Sequence, residues 1–503
     1  MLTLKILICA SVNCGFRVSQ GLKSALVYNF RIIDKEEKFV LMDKYYKNIY
    51  FMGIGGIGMS ALARYFLHEG RQVAGYDRTE TPLTRALQAE GAAVTYEDEV
   101  EAIPEAFRNE ATTMVVYTPA VPSDHPQMVF FREGGFLMEK RSQMLGHLSE
   151  GKYVMAVAGT HGKTTTSTMI AWLNASTGMG GNAFLGGISK NFNGNMVLGE
   201  GTRLAVEADE FDRSFLRLKP DVAVVTSVAP DHLDIYGTFE AVVEAFGQFA
   251  ALIKKGGDLI LKQGVEIPLP EGIDIWRYSY DDSASDFYAT NISLCEGGYY
   301  SFDVVTPFGE YKNLRLGIPG WVNVENAVAA VASWTCAARK RGEAMSEEKL
   351  RSALMEFSGV KRRFEFYVNT PRQVYMDDYA HHPEELEATI TSVKRMFPER
   401  HLTAVFQPHL YTRTRDLYRE FAAALSLADS VVLVPIYPAR EEPIEGICSE
   451  LIGEHVTAPW HICEREKLAE DLYNMPTDVV VTFGAGNIDV YCEAIAAQLA
   501  KKA

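Results

Sequence analysis

The residues Gly159-Thr160-His161-Gly162-Lys163-Thr164-Thr165-Thr166 have the types and order needed to hold a nucleoside triphosphate. Glycines let backbone N–H groups close around phosphate oxygens, and a helix N-terminus behind the turn adds positive potential. Lys163 would reach the β- and γ-phosphates, and the Thr164 hydroxyl would hold Mg2+. The spacing is GxxGK[ST], with Val157 where the longer phosphate loop has its first glycine. A glycine-rich turn bearing a surface lysine has the same composition. The flanks favour the phosphate loop, because Tyr153–Ala158 reads as a strand and Met169 to Leu173 as a helix.

Other chemistry-bearing groups fall at similar places. Glu207-Ala208-Asp209-Glu210-Phe211-Asp212 ends a strand-like run, where a hard divalent cation would find oxygen ligands. Glu207 is the expected ligand; Asp209, Glu210 and Asp212 read equally as a solvated acidic loop. His232, in Asp231-His232-Leu233-Asp234, is expected at the next strand end, as a second metal ligand or a group touching the transferred phosphate. Gly53-x-Gly55-x-x-Gly58 with Asp77 fits a pyrophosphate turn followed by a carboxylate for a sugar hydroxyl. That pattern does not choose between a dinucleotide and a UDP-sugar.

Lys361-Arg362-Arg363-Phe364 reads either as a basic hinge over a nucleotide or as a solvated linker. Asp377-Asp378-Tyr379-Ala380-His381-His382-Pro383 could suggest a metal site, but adjacent histidines on a loop face different ways. Arg413 and Arg415 follow another strand, and arginine is the planar, always-charged group for gripping a carboxylate.

Strand–helix alternation must position these groups, and it predicts parallel, doubly wound α/β sheets. The first block carries strands Asn48–Met52, Gln72–Tyr76 and Thr113–Tyr117. The second carries Tyr153–Ala158, Leu204–Glu207, Val222–Thr226 and Asp258–Leu261, then hairpin-like residues 284–316 and an alanine-rich helix Val324–Ala338. The third carries Gln373–Met376, Leu402–Phe406, Ser430–Val434 and Val479–Phe483. Expected domains are 42–150, 151–364 and 365–503. Leu2–Ala10 is mostly apolar but too short to span a membrane. Met42 directly precedes the first nucleotide pattern, so 1–41 is expected to be a non-native or disordered extension.

A chain of 503 residues with 47% hydrophobic and 23% charged residues reads as several globular domains. A net charge of −16 argues against nucleic-acid binding through a basic surface, and no membrane segment is expected. Seven scattered cysteines without a CxxC suit a reducing cytoplasm.

Together and in this order, the motifs resemble the Mur ligases from about Met42 to the C-terminus. They are GIGGIGM (53–59), GTHGKTTT (159–166), EADEFD (207–212), GVKRRFE (359–365), DDYAHHP (377–383), HLYTRT (409–414), YPARE (437–441) and GAG (484–486). The resemblance implies three domains. These are an N-terminal Rossmann-like UDP-binding domain, a central P-loop-type ATPase domain and a C-terminal Rossmann-like domain. The central domain would have a mainly parallel sheet plus a small β-rich part. It also implies a reaction in which ATP phosphorylates the carboxylate of UDP-N-acetylmuramic acid and the amine of L-alanine displaces the phosphate. GIGGIGM, HLYTRT and YPARE favour this over the related recycling ligase, which joins a tripeptide to the same UDP-sugar.

The site residues implied by the resemblance are as follows. Gly159, Thr160, His161, Gly162, Lys163, Thr164 and Thr165 would hold ATP phosphates, Asn323 and Asn326 adenine, Arg363 phosphate and Asp378 ribose. Thr164 and Glu207 would bind one Mg2+ and His232 a second. Gly55, Gly56, Ile57, Gly58, Asp77 and Thr118 would hold the UDP moiety. Tyr379, His381 and Arg413 would form the L-alanine site, Arg413 taking the carboxylate. Lys163, Glu207, His232, His381 and Arg413 are the implied catalytic set, in a monomer or weak homodimer. The chain departs from the family pattern at Ser227-Val228-Ala229, often Asn-x-Glu, at Val322, often His, and at Asn487, often Asp.

Overall fold

Runs of buried apolar residues pair into three sheets. The structure, a computed structural model, describes residues 46–230, 233–439 and 441–502. The expected extension 1–41 and His232 lie outside the described residues. The chain divides into two compact units: residues up to Ile54 with Phe66–Lys140, and Gly55–Tyr65 with Arg141 onward.

In the first unit, β1 (Asn48–Met52), β2 (Gln72–Tyr76), β3 (Ala93–Thr95), β4 (Thr113–Tyr117) and β5 (Leu137–Lys140) pair in the order β3-β2-β1-β4-β5, all parallel. Every residue of β1 is buried, as a parallel strand covered on both faces requires. Met52 lies in register with Tyr76 and Tyr117, so β1, β2 and β4 end at one level. Strand order reverses at β1, which makes the crevice beyond these ends the topological switch point. Gly53, Asp77 and Thr118 are the first residues past those three ends.

In the second unit, ten strands form one sheet. They are β6 (Tyr153–Ala158), β7 (Asn182–Ser189), β8 (Gly194–Val197), β9 (Arg203–Glu207), β10 (Val222–Val225), β11 (Asp258–Lys262), β12 (Asp274–Ser279), β13 (Phe287–Leu294), β14 (Tyr300–Thr306) and β15 (Gly309–Arg315). The order is β15-β14-β13-β12-β11-β10-β6-β9-β7-β8. The strands expected at 284–316 are continuous with the parallel sheet, because β12 pairs with β13 at Tyr278–Phe287 and Ser279–Tyr288. β6 sits between β10 and β9, so the phosphate loop, Glu207 and Thr226 emerge side by side.

The alanine-rich helix runs Trp321–Lys340, longer than expected at both ends, and is buried over most of its length. Small side chains let it pack closely against the helix Lys163–Ser176. Trp334 is fully buried there, its indole N–H donating to Thr177 Oγ1 at 3.2 Å.

The remaining sheet contains β16 (Glu365–Asn369), β17 (Val374–Asp378), β18 (Leu402–Phe406), β19 (Ser430–Leu433), β20 (Trp460–Ile462) and β21 (Val479–Phe483), ordered β16-β17-β21-β18-β19-β20. Only β16 pairs antiparallel. Among the described residues, no helix is long and apolar enough to cross a membrane.

Replacing Trp334 by alanine empties a large site in the packing that backs the phosphate-loop helix. Trp334→Ala is expected to cost about 3–5 kcal/mol, read as a lower urea midpoint of the second unit's unfolding. An unchanged midpoint would show that this contact does not hold the helix pair together.

Candidate functional site

Val157 explains the shortened phosphate loop. It is a fully buried strand residue paired with Val224 on one side and Glu207 on the other, so the turn begins only after Ala158. Gly159 has φ +136°, and a side chain there would collide with Thr226 Oγ1. Gly162, at φ +80°, precedes the helix, and an added Cβ would lie 2.9 Å from Asn326 Oδ1.

The loop is pinned from the neighbouring strand end. Thr160 N–H donates to Ser227 O at 3.1 Å, and His161 N–H to Ser227 Oγ at 2.8 Å. Ala229 N–H donates to Thr160 Oγ1 at 2.9 Å, and the Thr226 hydroxyl to His161 O. Two of the positions that depart from the family pattern, Ser227 and Ala229, are thus built into the loop's support.

Lys163 folds back over this turn. Its Nζ donates to Gly159 O at 2.6 Å, Thr160 O at 3.2 Å and Glu210 Oε1 at 2.7 Å. Glu210 is only 2% exposed, so it is no solvated loop residue. Burial opposes the charge on Lys163, but Glu210, Asp209 and Glu207 outweigh it and hold its pKa above the ordinary value.

Glu207, the last residue of β9, points its buried Oε2 at no hydrogen-bond partner. Burial pushes its pKa up, while Lys163 and the Thr164 hydroxyl pull the other way. Gly186 on β7 leaves the room, since any side chain there would collide with this carboxylate. An orphaned carboxylate oxygen beside a helix-start hydroxyl fits Mg2+, whose remaining ligands are characteristically phosphate and water oxygens. Among the described residues, no group of three or more His, Cys, Asp or Glu could hold a metal on side chains alone. The Asp377–His382 segment is therefore not such a cage.

The basic segment at 361–364 splits into two roles. Arg362 is structural: its Nε donates to Asp377 at 2.9 Å, and its other nitrogens reach Gly486 O at 3.0 Å and Gly484 O at 2.5 Å. Arg363 faces the site, where its charge acts on Glu207, Asp378, His381 and Glu385. The Tyr379 ring lies under both guanidinium groups, 5.2 Å from that of Arg362 and 5.0 Å from that of Arg363.

Asp378 accepts the amides of Phe364 at 2.8 Å and Ala380 at 2.9 Å. Burial pushes it up to about 6, against the pull of Arg363. Asn323 and Asn326 are committed to the scaffold. Asn326 Nδ2 donates to Asn323 Oδ1 at 3.2 Å, Thr166 Oγ1 donates to Asn326 Oδ1 at 3.3 Å, and Asn323 Nδ2 donates to Pro319 O at 2.7 Å.

Tyr379, His381, His409 and Arg413 gather into a second cluster. His381 Nδ1 lies 3.0 Å from Tyr379 O, and the His381 ring sits 5.3 Å from that of Tyr379 and 6.3 Å from that of His409. Burial lowers the His381 pKa; Glu385 opposes this and Arg413 reinforces it. The Arg413 Nη1 is buried without a hydrogen-bond partner, which marks a place for a carboxylate. His409, stacked on Tyr437 at 5.7 Å, is pushed down to about 4 by burial, then by Arg413 and His381.

Sequence reasoning gave His409 no role beyond its place in HLYTRT, and missed the pairing of Glu210 with Lys163, and Glu385. Glu385 was detectable, since Pro383 followed by a glutamate at the third helical position is a helix-start signal. Of the expected UDP residues, Asp77 and Thr118 belong to the first unit, and Gly55, Gly56, Ile57 and Gly58 to the second.

Family models match most of the chain: "Mur ligase family, catalytic domain" over residues 48–153, "Mur ligase middle domain" over 157–334, and "Mur ligase, glutamate ligase domain" over 362–486. A UDP-N-acetylmuramate–L-alanine ligase of Phocaeicola vulgatus is 48% identical over 461 residues, covering 91% of this chain and 99% of the relative. One from Parabacteroides distasonis is 47% identical, covering 90% and 97%. The crystal structure of UDP-N-acetylmuramate-alanine ligase from Thermotoga maritima superposes with a TM-score of 0.75 at 26% identity, covering 91% of this chain and 100% of that one. A murein peptide ligase of Psychrobacter arcticus shares the fold, with a TM-score of 0.64 at 23% identity and coverage of 90% and 98%.

The His409 environment has a pH signature. The folded chain keeps the ring neutral down to about 4, whereas an unfolded chain protonates it near the ordinary 6.5. The unfolded state therefore binds more protons in that window, and stability from this site is lost as pH falls through it. Urea midpoints taken from roughly pH 7.5 to 4.5 should fall for the wild type relative to His409→Gln. A pH-independent difference between the two would contradict a buried neutral ring.

Proposed function

This chain belongs to the Mur ligase family, and we propose that it joins L-alanine to UDP-N-acetylmuramic acid at the expense of ATP, in peptidoglycan precursor synthesis. The observation that carries this reading is the position of Arg363. Its guanidinium lies 5.0 Å from the Tyr379 ring, and its charge falls on both Glu207 and His381. A phosphate site and a carboxylate-binding pocket thus share one cation.

A free carboxylate is a poor acylating agent, so the chemistry needs an activated intermediate. Transfer of the γ-phosphoryl group to the sugar carboxylate gives an acyl phosphate and ADP. The alanine nitrogen then bonds to the acyl carbon, loses a proton, and expels inorganic phosphate to leave the amide. Phosphoryl transfer depends mostly on positioning and charge neutralisation. Lys163 supplies charge at the loop, exchanging Glu210 for phosphate oxygens. Thr164 and Glu207 would hold Mg2+, with His232 for a second ion, and the metal supplies neutralisation of the phosphate charge. Arg413 would take the alanine carboxylate, and Tyr379 and His381 would line the amino-acid pocket.

The same reading gives Arg363 a phosphate, Asp378 the ribose, and Asn323 and Asn326 the adenine. Gly55, Gly56, Ile57, Gly58, Asp77 and Thr118 would hold UDP. Domain limits at 42–150, 151–364 and 365–503 belong to the same proposal, as do a cytoplasmic location and a monomer or weak homodimer. The five described cysteines are all free, which suits a reducing compartment.

Two measurements test it. Lys163→Ala should abolish ATP-dependent amide formation while UDP-sugar binding, measured by calorimetry, survives; near-normal turnover would refute the role of Lys163. Phosphate release with UDP-N-acetylmuramate should be faster with L-alanine than with a peptidoglycan tripeptide. The opposite order would make the chain a recycling ligase.

A further inference from the structure

Glu385 touches both the phosphate loop and the amino-acid pocket. Its Oε1 lies 3.4 Å from His161 Nδ1 in the loop. Its Oε2 accepts the backbone N–H of His381 at 2.9 Å and of His382 at 3.2 Å, and lies 3.3 Å from His381 Nδ1. The side chain is 16% exposed, so little water competes for these contacts. Neighbouring Glu384 reaches the other ring nitrogen of His161 at 3.5 Å, but its side chain is 51% exposed.

The His161 backbone is anchored in the loop. Its backbone N–H is held by Ser227 Oγ and its backbone carbonyl by the Thr226 hydroxyl. Two residues further on, Lys163 would exchange Glu210 for phosphate oxygens, which changes the charge and hydrogen bonding around the turn that carries His161. On the other side, Glu385 starts the helix Pro383–Met396 and fixes the backbone from which the His381 ring projects. Burial opposes the charge on Glu385, but His381, His161 and Arg363 outweigh it and hold its carboxyl well below the usual carboxylate range.

We infer that Glu385 is a positioning residue that transmits the state of the phosphate loop, through His161, to the His381 side of the amino-acid pocket. The inference rests on the proposed function, since it assigns the pocket to an amino-acid acceptor. It makes nucleotide binding change alanine affinity, and a binding coupling of that kind is reciprocal.

The test uses Glu385→Gln, His161→Gln and the double variant of the full chain, with KM for L-alanine and for ATP measured separately. The amide introduced by Glu385→Gln retains an oxygen for the two backbone N–H groups, so the helix start survives, but it lacks the charge that holds His161. The His161 ring meets the helix Pro383–Met396 through Glu385 and the more exposed Glu384, so Glu385→Gln isolates the buried contact and His161→Gln removes both. Each single variant should raise the KM for L-alanine about tenfold, a typical coupling of this kind. The double variant should be no worse than the single ones, because both break the same link. The inference falls if His161→Gln changes only the KM for ATP, if Glu385→Gln leaves the KM for L-alanine unchanged, or if the two effects add. A wild type that releases no phosphate in response to L-alanine would instead bring down the proposed function, and the link with it.

Discussion

A lysine charge that must always have a partner governs this structure. Lys163 stands at the start of a helix, where the N-terminal amides already make the potential positive. Leaving its ammonium there unpaired would cost several kcal/mol. Glu210 removes that cost, and the carbonyls of Gly159 and Thr160 take the other protons. The loop is thus satisfied by groups that a polyphosphate can replace oxygen for oxygen. A phosphate site built this way is pre-shaped, yet its lysine is never left without a partner.

The sheet supplies the geometry that one loop cannot. β6 lies between β9 and β10 in parallel register, so their ends deliver the glycine turn, Glu207 and Thr226 to one level. Gly159 is required because Thr226 already occupies the space a side chain would fill. Gly186 is required for the same kind of reason beside Glu207. Two glycines, one in the turn after β6 and one on β7, are therefore fixed by one site, and only Gly159 lies within a recognisable motif. The alanine-rich helix completes the arrangement by bringing Asn326 against Gly162 from behind.

What could be read from the sequence follows from how local each signal is. Leu402–Phe406 and Val479–Phe483 are continuous buried runs, Thr113–Tyr117 is buried up to its last residue, and all three were legible to the residue. The junction of β12 with β13 was not, because only two residue pairs make it and the intervening segment carries no periodicity. Glu207 was legible as the end of an apolar strand. Glu210 was not, because the same acidic composition describes a solvated loop, and only the position of Lys163 makes it buried. Ser227 looked like the loss of a family residue, yet its hydroxyl and carbonyl hold the phosphate loop. Side-chain roles of this sort depend on which strand end lies opposite, and that is a tertiary fact.

The same limit explains Arg362 and Arg363, which are chemically identical in sequence and opposite in use. Arg362 and Phe364 both adopt left-handed backbone, at φ +60° and +51°, a conformation that costs free energy in residues with a side chain. Each is anchored enough to sustain it. Arg362 has Asp377 and two glycine carbonyls, and Phe364 is buried with its amide on Asp378. Arg363 lies between two anchored neighbours, so its backbone has little freedom even though its guanidinium is spent on no scaffold bond. The two anchored neighbours thus set where the Arg363 guanidinium lies, 5.0 Å from the Tyr379 ring. Relaxing either neighbour would blur the placement of Arg363 without touching its charge.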